Sequence, residues 1–116
     1  MDDRHESGRQ AEELCAALLR RAGLRILARN WRCRYGEIDL IAEERGAVVF
    51  AEVRLRRDTR FGGPSESITA AKRARLLAAA RLYLARRPAA PCRFDVLLLD
   101  RLDGTRIEWI RDAFGE

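Results

Sequence analysis

An α/β fold in the order α-β-β-β-α-β-β is what the sequence predicts, on three observations. Residues 37–43 and 47–56 are two β-rich runs flanking Glu44-Arg45-Gly46, which is a hairpin signature. Residues 8–22 and 70–87 carry apolar side chains at helical spacing. Residues 94–99, Phe-Asp-Val-Leu-Leu-Leu, form a strongly apolar strand after the second helix.

The elements follow in chain order. Ser7 suits an N-cap, with Gln10 completing a capping-box pattern, and Ala11, Leu14, Cys15, Leu18 and Ala22 make one stripe. Gly23 fits the position just past the helix end. Residues 24–32 read as a strand that turns at Arg34-Tyr35-Gly36 into the hairpin. A Gly-Gly-Pro loop over 57–66 leads to the second helix, with Thr69 as its N-cap and Pro88 beyond its end. After residues 94–99 the chain turns at 100–104 into a short last strand, 106–110. No internal repeat is present.

At 116 residues and 13.3 kDa, one domain over 1–116 is expected. With 47% hydrophobic and 35% charged residues, a disordered or collagen-like chain is excluded. No apolar run reaches the roughly 18 residues of a membrane span, and Met1 to Glu6 has no signal-peptide core, so a cytoplasmic protein is expected. Cys15, Cys33 and Cys92 match no zinc or disulfide pattern and read as small buried hydrophobes in a reducing compartment. His5 is the sole histidine and lies near the end, so histidine catalysis is not expected.

The net charge of +5 favours an anionic partner, nucleic acid first. Of the 23 basic side chains only Lys72 is a lysine, a skew that a general arginine bias explains. The charges are segregated. Residues 14–36 and 67–94 carry basic groups and no acid, and an acidic island over 37–52 lies between them.

The hairpin concentrates the chemistry. A two-residue Arg45-Gly46 loop sets Asp39 opposite Glu52, Glu37 opposite Arg54 and Ile41 opposite Phe50, all on one face. The other face carries Ile38, Val53, Leu40, Ala51, Ala42 and Val49, an apolar surface for a helix. Opposed Cβ atoms are about 5 Å apart, so Asp39 and Glu52 either raise a carboxyl pKa or recruit a cation. Mg²⁺ or Mn²⁺ suits such oxygen donors. Neutralisation by Arg54 and other arginines on a solvated face fits the spacing equally well.

The strings Gly36-Glu37-Ile38-Asp39-Leu40-Ile41-Ala42 and Val49-Phe50-Ala51-Glu52-Val53-Arg54 resemble the YraN-like uncharacterised protein family. Further matching pieces include Ala11-Glu12, Arg29-Asn30-Trp31, Lys72 and Arg93-Phe94-Asp95-Val96. That family resembles the restriction-endonuclease-like nuclease superfamily, including archaeal Holliday-junction resolvases. The resemblance implies a central mixed β-sheet flanked by helices. It also implies a catalytic pattern of Asp, then Glu-x-Lys. On it, Asp39 and Glu52 are metal ligands and catalytic groups, Val53 lends its carbonyl, and Glu12 is a supporting acid, with Mg²⁺ or Mn²⁺ as cofactor. The implied function is a divalent-metal-dependent endonuclease acting on DNA, with branched or damaged duplexes as candidate substrates and a homodimer by analogy.

The pattern departs at Arg54, where lysine is expected. Arginine stays protonated and cannot act as a base, though it can bind phosphate. Lys72 shares a helix face with Leu76, Ala79 and Tyr83, which can turn it toward the sheet as a catalytic or phosphate-binding group. Arg34, Arg56, Arg57, Arg60 and Arg73 are candidate nucleic-acid contacts. Tyr35, Trp31 and Trp109 are candidate stacking groups, with core packing favoured for the two tryptophans. The alternative function is a nucleic-acid-binding protein with weak or no catalysis, and a weaker one is a module for an acidic protein partner.

Overall fold

The computed structural model describes residues 3–55, 68–100 and 106–115, with side chains from residue 8 onward. The order is α1 (Asp3–Arg21), β1 (Arg25–Cys33), β2 (Gly36–Glu44), β3 (Ala47–Leu55), α2 (Ala70–Leu84), β4 (Cys92–Leu99) and β5 (Ile107–Phe114). This is the predicted order. The strands form one mixed sheet, β1-β2-β3-β4-β5, in which β3 and β4 are parallel and the other pairs antiparallel. A helix between β3 and β4 is what a parallel pair needs, since no hairpin can join parallel strands.

The helices cover opposite faces. In β3, Val49 and Ala51 pack with Ala11, Cys15, Ala16 and Leu19 of α1. Val48 and Phe50 pack with Leu76, Ala79 and Ala80 of α2. Alternation of side chains along the strand divides the two layers. Small residues on both helices let them lie close to the sheet. An aromatic row tightens the α2 layer. Tyr83 meets Trp31 edge-on at 5.3 Å and Phe50 at 5.9 Å, Phe50 stacks on Phe94 at 5.3 Å, and Phe94 on Phe114 at 4.9 Å.

The turns follow local chemistry. Arg45 and Gly46 both have positive φ, +50° and +85°, which makes the hairpin turn type I′. The ladder pairs Leu40 with Ala51, Ile41 with Phe50 and Ala42 with Val49, the register expected from the two-residue loop. At the end of α1, Gly23 has φ +97°; its N–H donates to Arg20 O and that of Leu24 to Leu19 O, a Schellman cap. Thr69 Oγ1 accepts from Lys72 N at 3.1 Å, the predicted N-cap of α2.

Several expectations are corrected. Helix α1 begins at Asp3, so Ser7 lies inside it and is not the N-cap. Acids at positions 3 and 6 suit the positive end of a helix dipole. Ala22 is exposed, and the buried stripe is Ala11, Cys15, Ala16 and Leu19. Helix α2 ends at Leu84 rather than 87, because Pro88 disfavours helical backbone at the residue before it. Ile38 packs in the α2 layer with Ile41, not with Leu40. Two side chains three positions apart cannot share a layer by simple alternation, so β2 breaks its pleat around Asp39. Cys92 is exposed and Cys33 half-buried; only Cys15 is the buried hydrophobe expected of all three.

β5 runs to Phe114, beyond the expected 110. The reason is Asp95, fully buried in β4. Its carboxylate accepts from Arg93 Nε at 3.0 Å, Trp109 Nε1 at 2.8 Å and Asp112 N at 2.9 Å. The register shifts between Phe94 and Val96, Asp112 adopts φ +52°, and pairing resumes at Phe114. Arg93 also donates to Glu44 at 2.8 Å, as does Arg111 at 3.1 Å, which fastens β5 and β4 to β2.

The Arg93 and Arg111 guanidiniums hold the Glu44 carboxyl below its usual range. A depressed folded-state pKa means stabilisation above the unfolded value, near 4.3, that fades as pH falls through the folded one. Glu44→Gln is therefore expected to unfold at lower urea than the wild type at pH 7. The two midpoints should draw together as pH falls below the unfolded value; a constant gap throughout acid titration contradicts the account.

Candidate metal and phosphate site

The site forms where the β2–β3 ladder stops. Its last backbone pair is Leu40 with Ala51, and the next positions are Asp39 and Glu52. Here side chains replace ladder partners. Val53 N donates to Asp39 Oδ2 at 2.9 Å, and Asp39 N to Glu52 Oε1 at 3.4 Å. The strands are thus held together by two carboxylates that would otherwise repel.

Each flanking helix adds a group. On α2, Lys72 lies one turn before buried Leu76, so docking of Leu76 and Ala79 carries its ammonium to the sheet, 3.1 Å from Glu52 Oε2. On α1, Glu12 follows buried Ala11 and reaches the sheet from the other side. Glu12, Glu37 and Asp39 each place a carboxylate oxygen within 4.8 Å of the others. Asn30, at φ +50° in β1, hydrogen-bonds Glu12 through its side chain.

Electrostatics set this cluster apart. Glu52 has only 3% of its surface exposed. Burial first, then the charge of Asp39, pushes its pKa up, against the pull of Lys72. Asp39 is raised by burial and by Glu37, opposed by the Val53 N–H and Lys72. Glu12 is raised by burial and by Asp39. The same charges, after burial, push the Cys15 thiol up to about 12, so that cysteine is an inert packing group. Among the described residues Lys72 pairs with Glu52 and Arg32 with Glu37, and the raised carboxyls are those that burial and neighbouring acids disfavour as charges.

The predicted residues are therefore sorted. Asp39 and Glu12 come together with Glu37, while Glu52 lies outside that cluster, bonded to Asp39 N and Lys72, and the Val53 N–H donates to Asp39. Arg54 does not pair with Glu37, whose partner is Arg32 at 3.2 Å. Its Nε is buried with no hydrogen-bond partner among the described residues. Arg34 is exposed and donates to Tyr35 Oη at 3.0 Å, and Arg73 Nε bonds Ile68 O. Arg56, Arg57 and Arg60 lie outside the described residues. Trp31 is half-buried in the α2 layer and Trp109 beside the α1 layer, the core placement favoured for both. Glu37 and Asn30 were not in the predicted set. Glu37 was legible, being two residues before Asp39 on a strand. Asn30 was not, because its role depends on a backbone twist.

Fold and site together define a small α/β protein that presents buried carboxylates and a lysine where two helices meet a sheet. Residues 11–99 match the model of the uncharacterised protein family UPF0102, and the chain belongs to that family. Similar proteins span nearly its whole length. A UPF0102 protein of Methylobacillus flagellatus is 50% identical over 92% of this chain and 95% of its own. The UPF0102 protein PA4424 of Pseudomonas aeruginosa is 51% identical over 98% of both, and UPF0102 protein NE0719 of Nitrosomonas europaea 50% over 100% and 99%. Among the described residues no helix is long and apolar enough to cross a membrane.

The Glu52–Lys72 pair gives opposite expectations for its two partners. Glu52→Gln removes a buried like charge from Asp39 and should raise stability in EDTA by about 1 kcal/mol. Lys72→Met strips the compensating cation and should lower it by about 1–2 kcal/mol. Urea midpoints of the two variants check this; a loss in both would mean that the pair is a net stabiliser.

Proposed function

We propose that this protein is a divalent-metal-dependent endonuclease acting on DNA. The observation that carries the reading is the convergence of Glu12, Glu37 and Asp39 beside the Glu52–Lys72 pair.

The donor set fits a hard cation. Ligands of one Mg²⁺, each about 2.0–2.1 Å from it, lie roughly 3–4 Å apart, and three oxygens within 4.8 Å need only a small contraction. Glu12, Glu37 and Asp39 would hold the ion, with Glu52 completing the acidic wall. Mg²⁺ or Mn²⁺, when bound, supplies an acidified water and a positive charge at the phosphate. The chain's own residues do the rest. The Val53 N–H fixes the rotamer of Asp39. Lys72, 31% exposed at its side chain, keeps one side toward solvent and can donate to a phosphate or to the attacking water while Glu52 orients it. On this reading Lys72, paired with Glu52, would supply the lysine that the sequence pattern expects at position 54.

The test is cleavage of linear and branched DNA in Mg²⁺ or Mn²⁺. Wild type should cut, the Asp39→Ala, Glu52→Ala double variant should not, and Lys72→Met should lose at least about 100-fold in rate while still binding DNA. Arg54→Lys should give no gain. Cutting unaffected by the double variant rejects the assignment.

Arg54 supports one second reading, a nucleic-acid-binding protein without efficient hydrolysis. On it, binding is salt-sensitive, no divalent ion is taken up, and Lys72→Met leaves no catalytic deficit.

A further inference from the structure

A pocket of about 340 Å³ opens beside the carboxylates. It is lined by Asp39, Glu37 and Glu52, by Lys72 and Arg75 of α2, and by Tyr35 of the β1–β2 turn. The walls thus carry three different chemistries: acids, cations and an aromatic ring.

Tyr35 is held as a platform. The Arg34 guanidinium sits over its ring at 4.9 Å, and Arg34 donates to its hydroxyl. Packing at the edge of the α2 layer leaves the ring half-buried. Gly36 follows with φ +130°, a conformation that L side chains rarely adopt, and an added Cβ would meet nothing there. The glycine thus serves the turn that presents the ring.

We infer that this pocket takes one unpaired nucleotide next to the phosphate to be cut. The base stacks on the Tyr35 ring opposite Arg34, and Lys72 and Arg75 contact its phosphates. Volume selects the occupant. About 340 Å³ matches the size of a single nucleotide rather than of a base pair with two backbones, so an intact duplex fills it by giving up a base. A base already freed at a gap, flap or junction avoids that cost. The substrate class is thus DNA with an unpaired nucleotide, and the inference rests on the nuclease reading above for the phosphate's place.

Binding and cutting separate the two ideas. The probe is a duplex with a one-nucleotide 2-aminopurine bulge, against the same duplex without it, in Ca²⁺ for binding and Mg²⁺ for cleavage. Wild type and Tyr35→Phe should bind the bulged form at least about ten-fold more tightly and quench its fluorescence. Tyr35→Ala should lose preference and quenching and keep its affinity for the intact duplex, which also shows that it is folded. Arg75→Gln should keep the quenching and lower the salt slope by about one. Equal affinity of wild type for both duplexes, or quenching that survives Tyr35→Ala, overturns the inference. Preference without cleavage keeps the pocket and rejects the nuclease; cleavage without preference does the reverse.

Discussion

The structure turns on two carboxylates, buried Glu52 and half-buried Asp39, placed where a β-ladder ends. Asp39 and Glu52 occupy opposed positions just past the last backbone pair, and each accepts a main-chain N–H from the other strand. A backbone ladder could have continued there at less electrostatic cost. Carboxylates bridge β2 and β3 in its place, Ile38 lies in the α2 layer while Leu40 lies in the α1 layer, and Tyr35, Lys72 and Arg75 line a pocket beside the pair. Buried like charges of this kind weaken a fold and are found where function needs them.

Everything around the pair is arranged to hold it. Alanines and a cysteine on α1 bring that helix close enough for Glu12 to reach Asp39 past the sheet. Leu76, Ala79 and Tyr83 seat α2 so that Lys72 meets Glu52. At the far end of β2, Arg93, Arg111, Glu44 and Asp95 form a second polar network with the opposite character. There paired cations lower the Glu44 pKa, whereas at Asp39 and Glu52 burial, joined by neighbouring acids, raises theirs. One network fastens the sheet; the other gathers acids where burial disfavours their charge.

Much of this was legible in sequence. The hairpin register follows from a two-residue turn, and with it the opposition of Asp39 and Glu52, because period-two patterning allows a single pairing. Lys72 was placed by helix periodicity from Leu76. What escaped depends on departures from regular geometry. Ile38 changes layer because the ladder fails beside it, and β5 is longer than its polar Arg111-Asp112 step implies because Asp95 takes over a backbone partner. Asn30 matters through a left-handed backbone conformation that no pattern announces. The irregular points lie at half-buried Asp39 and buried Asp95, and local rules fail where a side chain substitutes for backbone.

If the clustered carboxylates exist to hold a divalent cation, the ion must stabilise the fold. Thermal unfolding of the wild type and of Asp39→Asn, each in EDTA and in Mn²⁺, measures this directly. At an Mn²⁺ concentration near 100 times its Kd, binding to the folded state adds about 2.7 kcal/mol. The account predicts a Tm several degrees higher in Mn²⁺ for the wild type and no shift for Asp39→Asn. An unchanged wild-type Tm up to millimolar Mn²⁺, or an equal rise in the variant, would contradict it.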